Sequence, residues 1–302
     1  MPWRRRAEPL VRAMRASDVP IVGGIFREAF NEIYSRRGYG PVVADESVGA
    51  VIADTYRALD PAHCIVVERE RDVIASGFLH VRGETAGAGP ITVLPAHQGT
   101  GVGLCLMQEI CRQADQANVR SLRLIQDAFN ETAFALYGSV GFVCREVLAR
   151  ISFRSDRRPS DAVDCRRATA RDLDGIVELE ARLLGLRRLC DYELLLRVGE
   201  VFVAERGAIR SSVARIVRGR VAVLGPAVAP SLREMIQLID YATRDLPPGT
   251  DTRLLLPARC PDLHAALGER SLEVHSLCLY MVRGDYEPFR GYYVPTLFPE
   301  SG

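Results

Sequence analysis

The 302-residue sequence contains no lysine, and all 39 of its basic residues are arginine. No side-chain amine is present, which excludes any lysine-based catalysis and any regulation by modification of a lysine. A formal net charge of +1 supplies no field to gather nucleic acid or an anionic membrane. The pairs and triplets Arg4-Arg5-Arg6, Arg36-Arg37, Arg157-Arg158 and Arg187-Arg188 therefore read as solvated faces. Nowhere does an apolar run approach the roughly 18 residues of a membrane span, and Met1 to Pro9 lead into no long apolar core. The expectation is a soluble, cytoplasmic protein. Eight cysteines form no Cys-x-x-Cys pair and no ligand spacing with the histidines, so no metal is expected and the thiols should be free and buried. Gly-Lys-Ser/Thr and Gly-x-Gly-x-x-Gly are both missing, which removes the nucleotide triphosphatase loop and the dinucleotide fingerprint.

What is present is Ile91-Thr92-Val93-Leu94-Pro95-Ala96-His97-Gln98-Gly99-Thr100-Gly101-Val102-Gly103, a strand that runs into a glycine-spaced turn and opens a helix. Gly99, Gly101 and Gly103 lack the Cβ atoms that hinder close approach. Successive N–H groups at the positive end of a helix can then cradle a pyrophosphate. From Val102 to about Asn118, Leu106, Met107, Ile110, Cys111, Ala114 and Ala117 recur every three or four residues, which predicts an amphipathic helix. Downstream, Asn130-Glu131-Thr132-Ala133-Phe134-Ala135-Leu136-Tyr137-Gly138-Ser139-Val140-Gly141-Phe142 predicts a second helix. Asn130 would be its N-cap, Glu131 would suit its first turn and Gly141 would end it.

These two segments, in this order, resemble the acetyl-CoA loop and the following Asn/Tyr helix of the GNAT superfamily of N-acetyltransferases. The resemblance rests on Ile91, Val93, Pro95, Gln98, Gly101 and Gly103 in the first segment and on Asn130, Ala133, Leu136, Tyr137, Gly141 and Phe142 in the second. It implies an α/β fold with a central mixed β-sheet flanked by helices, acetyl-CoA as co-substrate without a metal, and direct transfer of the acetyl group to an amine. Ile91, Thr92 and Val93 would hold the pantetheine as an added strand. Gln98, Gly99, Thr100, Gly101, Val102, Gly103 and Leu104 would hold the pyrophosphate, with Asn130 beside the cofactor or capping its helix. A backbone N–H near Val93 would polarise the thioester carbonyl, and Tyr137 would protonate the departing thiolate.

The opening of the chain recurs. Arg166 to Leu173 parallel Arg12 to Val19, Val201 to Glu205 parallel Cys64 to Glu68, and Leu224 to Pro230 parallel the strand that ends at Pro95. A repeat of this length means a duplicated domain. The expected organisation is a GNAT domain over 1–155, closed by a strand from Val143 to Phe153, a polar linker at 156–163, and a degenerate copy over 164–302. The copy passes from Pro230 to Ser231 and into a helix without the glycine loop, so acetyl-CoA is expected only in the first.

One departure stands out. Where many GNAT members carry a glutamate, on the loop strand or the next one, this chain has Gly87-Ala88-Gly89-Pro90 and Leu124-Ile125-Gln126. Glu84, Asp127 and His80 are the nearest titratable groups, and each reads as solvated or structural. Cys64 and Cys144 do not suggest covalent catalysis. The leading expectation is an N-acetyltransferase acting on a small-molecule or peptide amine, with homodimerisation left open. The alternatives are a non-catalytic acyl-CoA sensor or interaction protein and a tandem enzyme with two working domains. Between the first two helices, Asn31, Glu32, Tyr34, Tyr39, Asp45 and Glu46 would shape the acceptor site.

Overall fold

The computed structural model describes residues 8–154 and 164–295. The expected linker at 156–163 and the Arg4 to Arg6 and Arg157-Arg158 clusters lie outside them. The chain divides into two units, Met1–Leu124 with Phe129–Val143 and Ile125–Ala128 with Cys144–Gly302.

In the first unit, β1 (Leu10–Ala13) precedes α1 (Val19–Arg36) and α2 (Glu46–Leu59). Then come β2 (Cys64–Arg69), β3 (Asp72–Arg82), β4 (Thr85–Ala88), β5 (Thr92–Val93), α3 (Val102–Gln116), β6 (Ser121–Asp127) and α4 (Glu131–Ser139). The strand order is β1-β2-β3-β4-β6, with β5 continuing on β3. Every pair is antiparallel except β4 with β6. A parallel pair needs a crossover, and α3 supplies it. The α3 stripe buries Val102, Leu106, Met107, Ile110, Cys111 and Ala114, each large apolar side chain contributing about 1.5–3 kcal/mol. α1 and α2 cross backbone to backbone because Gly23 and Gly49 meet there: a Cβ on Gly49 would sit 2.3 Å from the Gly23 carbonyl oxygen.

The second unit contains most of β7 (Val143–Arg154), then β8 (Cys165–Arg167), α5 (Leu173–Leu184), α6 (Leu189–Val198), β9 (Glu200–Glu205), β10 (Ile209–Arg218) and β11 (Val221–Ala229). It continues with α7 (Leu232–Thr243), β12 (Asp251–Pro257), α8 (Pro261–Gly268), β13 (Glu273–Gly284) and β14 (Tyr292–Val294). Its strand order is β13-β7-β12-β11-β10-β9-β8, with β14 on β11. The β11–β12 pair is parallel. Each unit is thus a mixed sheet with helices, the expected fold class.

The duplication is visible side chain by side chain. Arg12 binds Glu68 and Asp18, both at 2.7 Å, and Asp18 accepts the Arg15 N–H. Arg166 binds Glu205 and Asp172 at 2.6 Å, and Asp172 accepts the Thr169 N–H. Both carboxyls are held below the usual range, first by the arginine hydrogen bond. Gly89-Pro90 and Gly225-Pro226 are the same step, both with cis peptides.

One expectation is corrected. The strand beginning at Val143 does not close the first sheet: β7 pairs along β12 from Arg154↔Asp251 to Leu148↔Pro257. Leu148, Ile151 and Phe153 are all buried and pack among second-unit side chains. Leu148 and Ile151 lie on opposite faces of one strand, and apolar residues on both faces suit a central position better than an edge.

Candidate functional site

The site begins where β4 and β6 stop pairing. Their register runs from Thr85↔Ser121 to Gly87↔Arg123, after which β4 bulges through Gly89 and Pro90. Its register on β3 shifts by one residue between Leu79↔Ala88 and Ser76↔Thr92. The Leu94 N–H donates to the Ile74 carbonyl at 2.9 Å. Because antiparallel pairs alternate, Thr92 turns its backbone groups toward β3, while Ile91 and Val93 turn theirs to the opposite, open edge. Gln98 Nε2 donates to the Val93 carbonyl at 3.1 Å. The Ile91 and Val93 N–H groups find no backbone acceptor among the described residues. Thr92 does not join them, since its hydroxyl bonds Ser76 at 2.8 Å and it is 3 % exposed. Of the three residues expected to hold pantetheine, Thr92 is thus the one that turns toward β3.

The loop is built for donors. Gly99 and Gly101 have φ of +71° and +85°, and a Cβ on either would meet nothing within 4 Å. Gly101 is the N-cap of α3, whose first bond runs from the Cys105 N–H to the Gly101 carbonyl at 3.0 Å. The N–H groups from Gly99 to Leu104 have no backbone acceptor among the described residues, as the first turn of a helix requires. Gln98 and Thr100 spend their side chains on the scaffold, Gln98 on Val93 and Thr100 on the His97 carbonyl at 2.7 Å. Val102 buries its side chain and Leu104 exposes its own. Gly103 sits where three elements converge: its Cβ would lie 3.2 Å from Leu136 and 3.8 Å from Val93. This cradle offers N–H donors and open space, the features that suit an anion.

Tyr137 packs against Phe142 with ring centroids 6.0 Å apart, and burial pushes its phenol above the ordinary tyrosine value. Asn130 caps α4 by accepting the Ala133 N–H at 3.1 Å, so of its two expected roles the structure shows the cap. The candidate bases separate clearly. Glu84 is exposed beside Arg120, at the hairpin end of β4 remote in sequence register from the bulge. Asp127 pairs with Arg150 at 3.1 Å and accepts the Cys278 thiol. His80 is buried, its Nδ1 2.8 Å from Asp60 and its Nε2 3.2 Å from the Gly89 carbonyl. Burial, with the Asp60 charge, pushes the Cys64 thiol up to about 12, which leaves it inert.

Asp60 was not legible as a site residue, because its partners His80 and Arg82 lie 20 and 22 residues away. In the acceptor segment, Tyr34 and Tyr39 gather on Phe129 with centroids 5.2 and 5.3 Å from it. Arg37 ties the end of α1 to Glu131 at 2.6 Å. Asn31 holds the α1–α2 connection by accepting the Val42 and Val43 N–H groups.

The second unit has the same edge, and it is filled. β14 pairs with β11 through Ala227↔Val294, Val228↔Tyr293 and Ala229↔Tyr292. Counting from the two Gly-Pro steps, Val228 and Ala229 are the counterparts of Thr92 and Val93. Tyr293 is fully buried, its ring 5.9 Å from the Arg188 guanidinium, which in turn is paired with buried Glu180. In place of the glycine loop, Ser231 accepts the Glu234 N–H and donates to its carboxylate at 2.7 Å.

Residues 60–144 match the acetyltransferase (GNAT) domain family. No curated protein matches the sequence at a significant level. Among solved structures, a candidate acetyltransferase from Pyrococcus horikoshii shares 17 % identity and a TM-score of 0.80 over 97 % of this chain and 95 % of that one. A GCN5-related N-acetyltransferase from Sphaerobacter thermophilus shares 14 % and 0.61 over 93 % and 98 %. A tandem GNAT protein from the clavulanic acid biosynthesis pathway shares 13 % and 0.60 over 93 % and 100 %. At these identities the likeness establishes the fold.

Proposed function

From a chain that carries a GNAT acetyltransferase domain over residues 60–144 within a tandem GNAT fold, we propose an acetyl-CoA-dependent N-acetyltransferase whose single working site is in the first unit. The observation that carries this reading is the continuity of the open Ile91–Val93 edge with the donor-rich loop from Gly99 to Leu104. The N–H groups at Ile91 and Val93 suit a pantetheine amide and a thioester carbonyl, and the loop N–H groups suit a pyrophosphate. Acetyl-CoA would supply the activated acyl group, while the chain positions it and offers an N–H to the charge that develops on its carbonyl oxygen. Tyr137, kept protonated by burial, would give its proton to the departing thiolate. The acceptor is a small-molecule or peptide amine entering beside the Tyr34–Tyr39–Phe129 group.

The reading of a non-catalytic acyl-CoA sensor draws support from one observation: of the nearby carboxylates, Glu84 faces solvent and Asp127 is held by Arg150. Calorimetric titration with acetyl-CoA, followed by an amine panel on wild type and Tyr137→Phe, separates the two. Transfer that falls in Tyr137→Phe with unchanged binding supports the enzyme. Binding at one site per chain without transfer to any amine supports the sensor, and no binding sinks both.

A further inference from the structure

Five arginines are buried among the described residues, and four of them hold a carboxylate. Arg82 binds Asp60, Arg188 binds Glu180, Arg215 binds Glu200 and Asp245, and Arg270 binds Asp240. Arg123 on β6 is the fifth. It is 6 % exposed, its Nε donates to Ser121 Oγ at 3.0 Å, and its Nη1 is buried with no hydrogen-bond partner among the described residues. A guanidinium cannot shed its proton, so a buried one without a counter-charge is strongly destabilising until an anion arrives.

The strands put this group where the site begins. Gly87↔Arg123 is the last β4–β6 pair, so Arg123 stands at the point from which the two strands part. Opposed residues share a face, which sets Arg123 in one row with Gly87 and His80, and position 87 adds no side chain between them. This is the face that carries α1 and α2: Phe26 packs on Phe78 with centroids 5.8 Å apart, and Tyr56 packs on His80 at 4.9 Å. α3 covers the opposite face, where a Cβ on Gly77 would lie 2.9 Å from Ile110 and 3.2 Å from Leu106. The sheet therefore stands between Arg123 and the helix that the glycine loop opens, and the anion missing from Arg123 is not the pyrophosphate. Nor can Asp60 supply the charge. Both its oxygens accept from Arg82 Nη1, at 3.1 and 2.9 Å, and one also meets His80.

We propose that the acceptor amine carries a carboxylate, and that Arg123 receives it as the specificity-determining residue of the first unit's site. With Nε held by Ser121, the Nη1–Nη2 end of the fork is left for two carboxylate oxygens, a geometry that suits this planar pair. The charges match one to one, whereas a phosphomonoester would bring close to two negative charges to a single guanidinium. The substrate class is thus an amino acid or another amino carboxylate. In the transfer its nitrogen bonds the acetyl carbon and the carbon–sulfur bond breaks. One proton leaves the nitrogen and one arrives on the departing sulfur, giving the N-acetylated acid and coenzyme A. The amine half of this inference rests on the acyl-CoA reading, and the carboxylate half does not.

The test gives the full chain the L-amino acids, the ω-amino acids from β-alanine to 6-aminohexanoate, the carboxamide of each, and phosphoethanolamine. With acetyl-CoA, the acids that turn over should exceed their carboxamides in kcat/KM by roughly 10- to 100-fold, the worth of a charge-assisted hydrogen bond. In Arg123→Gln that difference should vanish through a higher KM, with acetyl-CoA affinity unchanged in calorimetry. Equal turnover of acids and carboxamides, a preference for phosphoethanolamine, or discrimination that survives in Arg123→Gln overturns the inference. Saturation-transfer NMR of the same acids, with and without coenzyme A, reads the carboxylate half: wild type should bind them and Arg123→Gln should not. If no acid binds and none is acetylated, the inference is overturned as well. Failure of acetyl-CoA to bind refutes the acyl-CoA reading on its own and leaves the carboxylate site to the NMR. Thermal melts exclude a merely structural arginine. Arg123→Met, which keeps an unbranched apolar stem and removes the unanswered charge, should melt at or above the wild-type Tm, and a lower Tm overturns the assignment.

Discussion

Replacing Gly101 with alanine separates backbone strain from ligand binding. Gly101 has φ +85°, and an added Cβ would meet no atom within 4 Å, so the folded protein suffers no clash. The expense is conformational, about 1–2 kcal/mol for an L-residue held in the left-handed region, or a fall of roughly 2–4 °C in Tm per kcal/mol. If the loop relaxes to escape this strain, the N–H groups of Gly101 and Val102 turn out of the cradle. Each charge-assisted bond to an anion is worth about 1.5–3 kcal/mol, so acetyl-CoA should bind roughly 10- to 100-fold more weakly. Gly38→Ala is the matched control, because Gly38 has φ +79° with the same open space and sits after α1, outside the loop. Both variants should lose similar Tm in thermal melts, and only Gly101→Ala should lose affinity in calorimetry. If Gly101→Ala melts like the control yet binds acetyl-CoA as wild type does, the loop is an ordinary tight turn and the pyrophosphate assignment is wrong.

Further expectations concern the rest of the molecule. Gly49→Ala should destabilise the first unit by about 3 kcal/mol or more in urea titration, since its Cβ would overlap the Gly23 backbone and no rotamer relieves that. Tyr293→Ala should cost about 3–5 kcal/mol through the cavity it leaves beside Arg188, and should not create a second acetyl-CoA site detectable by calorimetric stoichiometry. Asp18 and Asp172 titrate below their unfolded values. Their stabilising contribution is therefore complete above the ordinary carboxyl range and is lost as pH falls through the folded values, so Asp172→Asn should flatten the acid limb of a stability–pH curve. Cys64, pushed up to about 12, should resist alkylation in the native protein at pH 8, and Cys64→Ala should leave transfer intact.

Local chemistry was legible where the pattern repeats along the chain. The α3 stripe is buried at Leu106, Met107, Ile110, Cys111 and Ala114 as its spacing predicts, and Asn130 caps α4. The glycine loop has positive φ at the two positions where only glycine is comfortable. Partnerships between distant segments were not legible. β7 reads as the last strand of the first copy, yet its register belongs to β12, and nothing in twelve residues of alternating strand reveals which neighbour they meet. Thr92 lies in the motif, but whether it faces β3 or the open edge depends on the phase of a hydrogen-bond ladder set by the Leu94–Ile74 bond. β14 is only three residues long, too short for periodicity to mark. The second copy's missing loop could be read, whereas the strand that fills its edge could not.

That strand casts the first unit in a different light. An unpaired strand edge invites any other extended chain to add to it, and proteins commonly cover such edges against aggregation. The second unit covers its own with β14, permanently and with its own residues. The first keeps Ile91 and Val93 uncovered, and on the proposed reading it borrows its cover from a small molecule that comes and goes with each turnover. Supply of the acyl donor would then govern solubility as well as rate: starved of it, the protein should aggregate sooner on heating, with the newly exposed contact starting at Val93 rather than in the duplicated half.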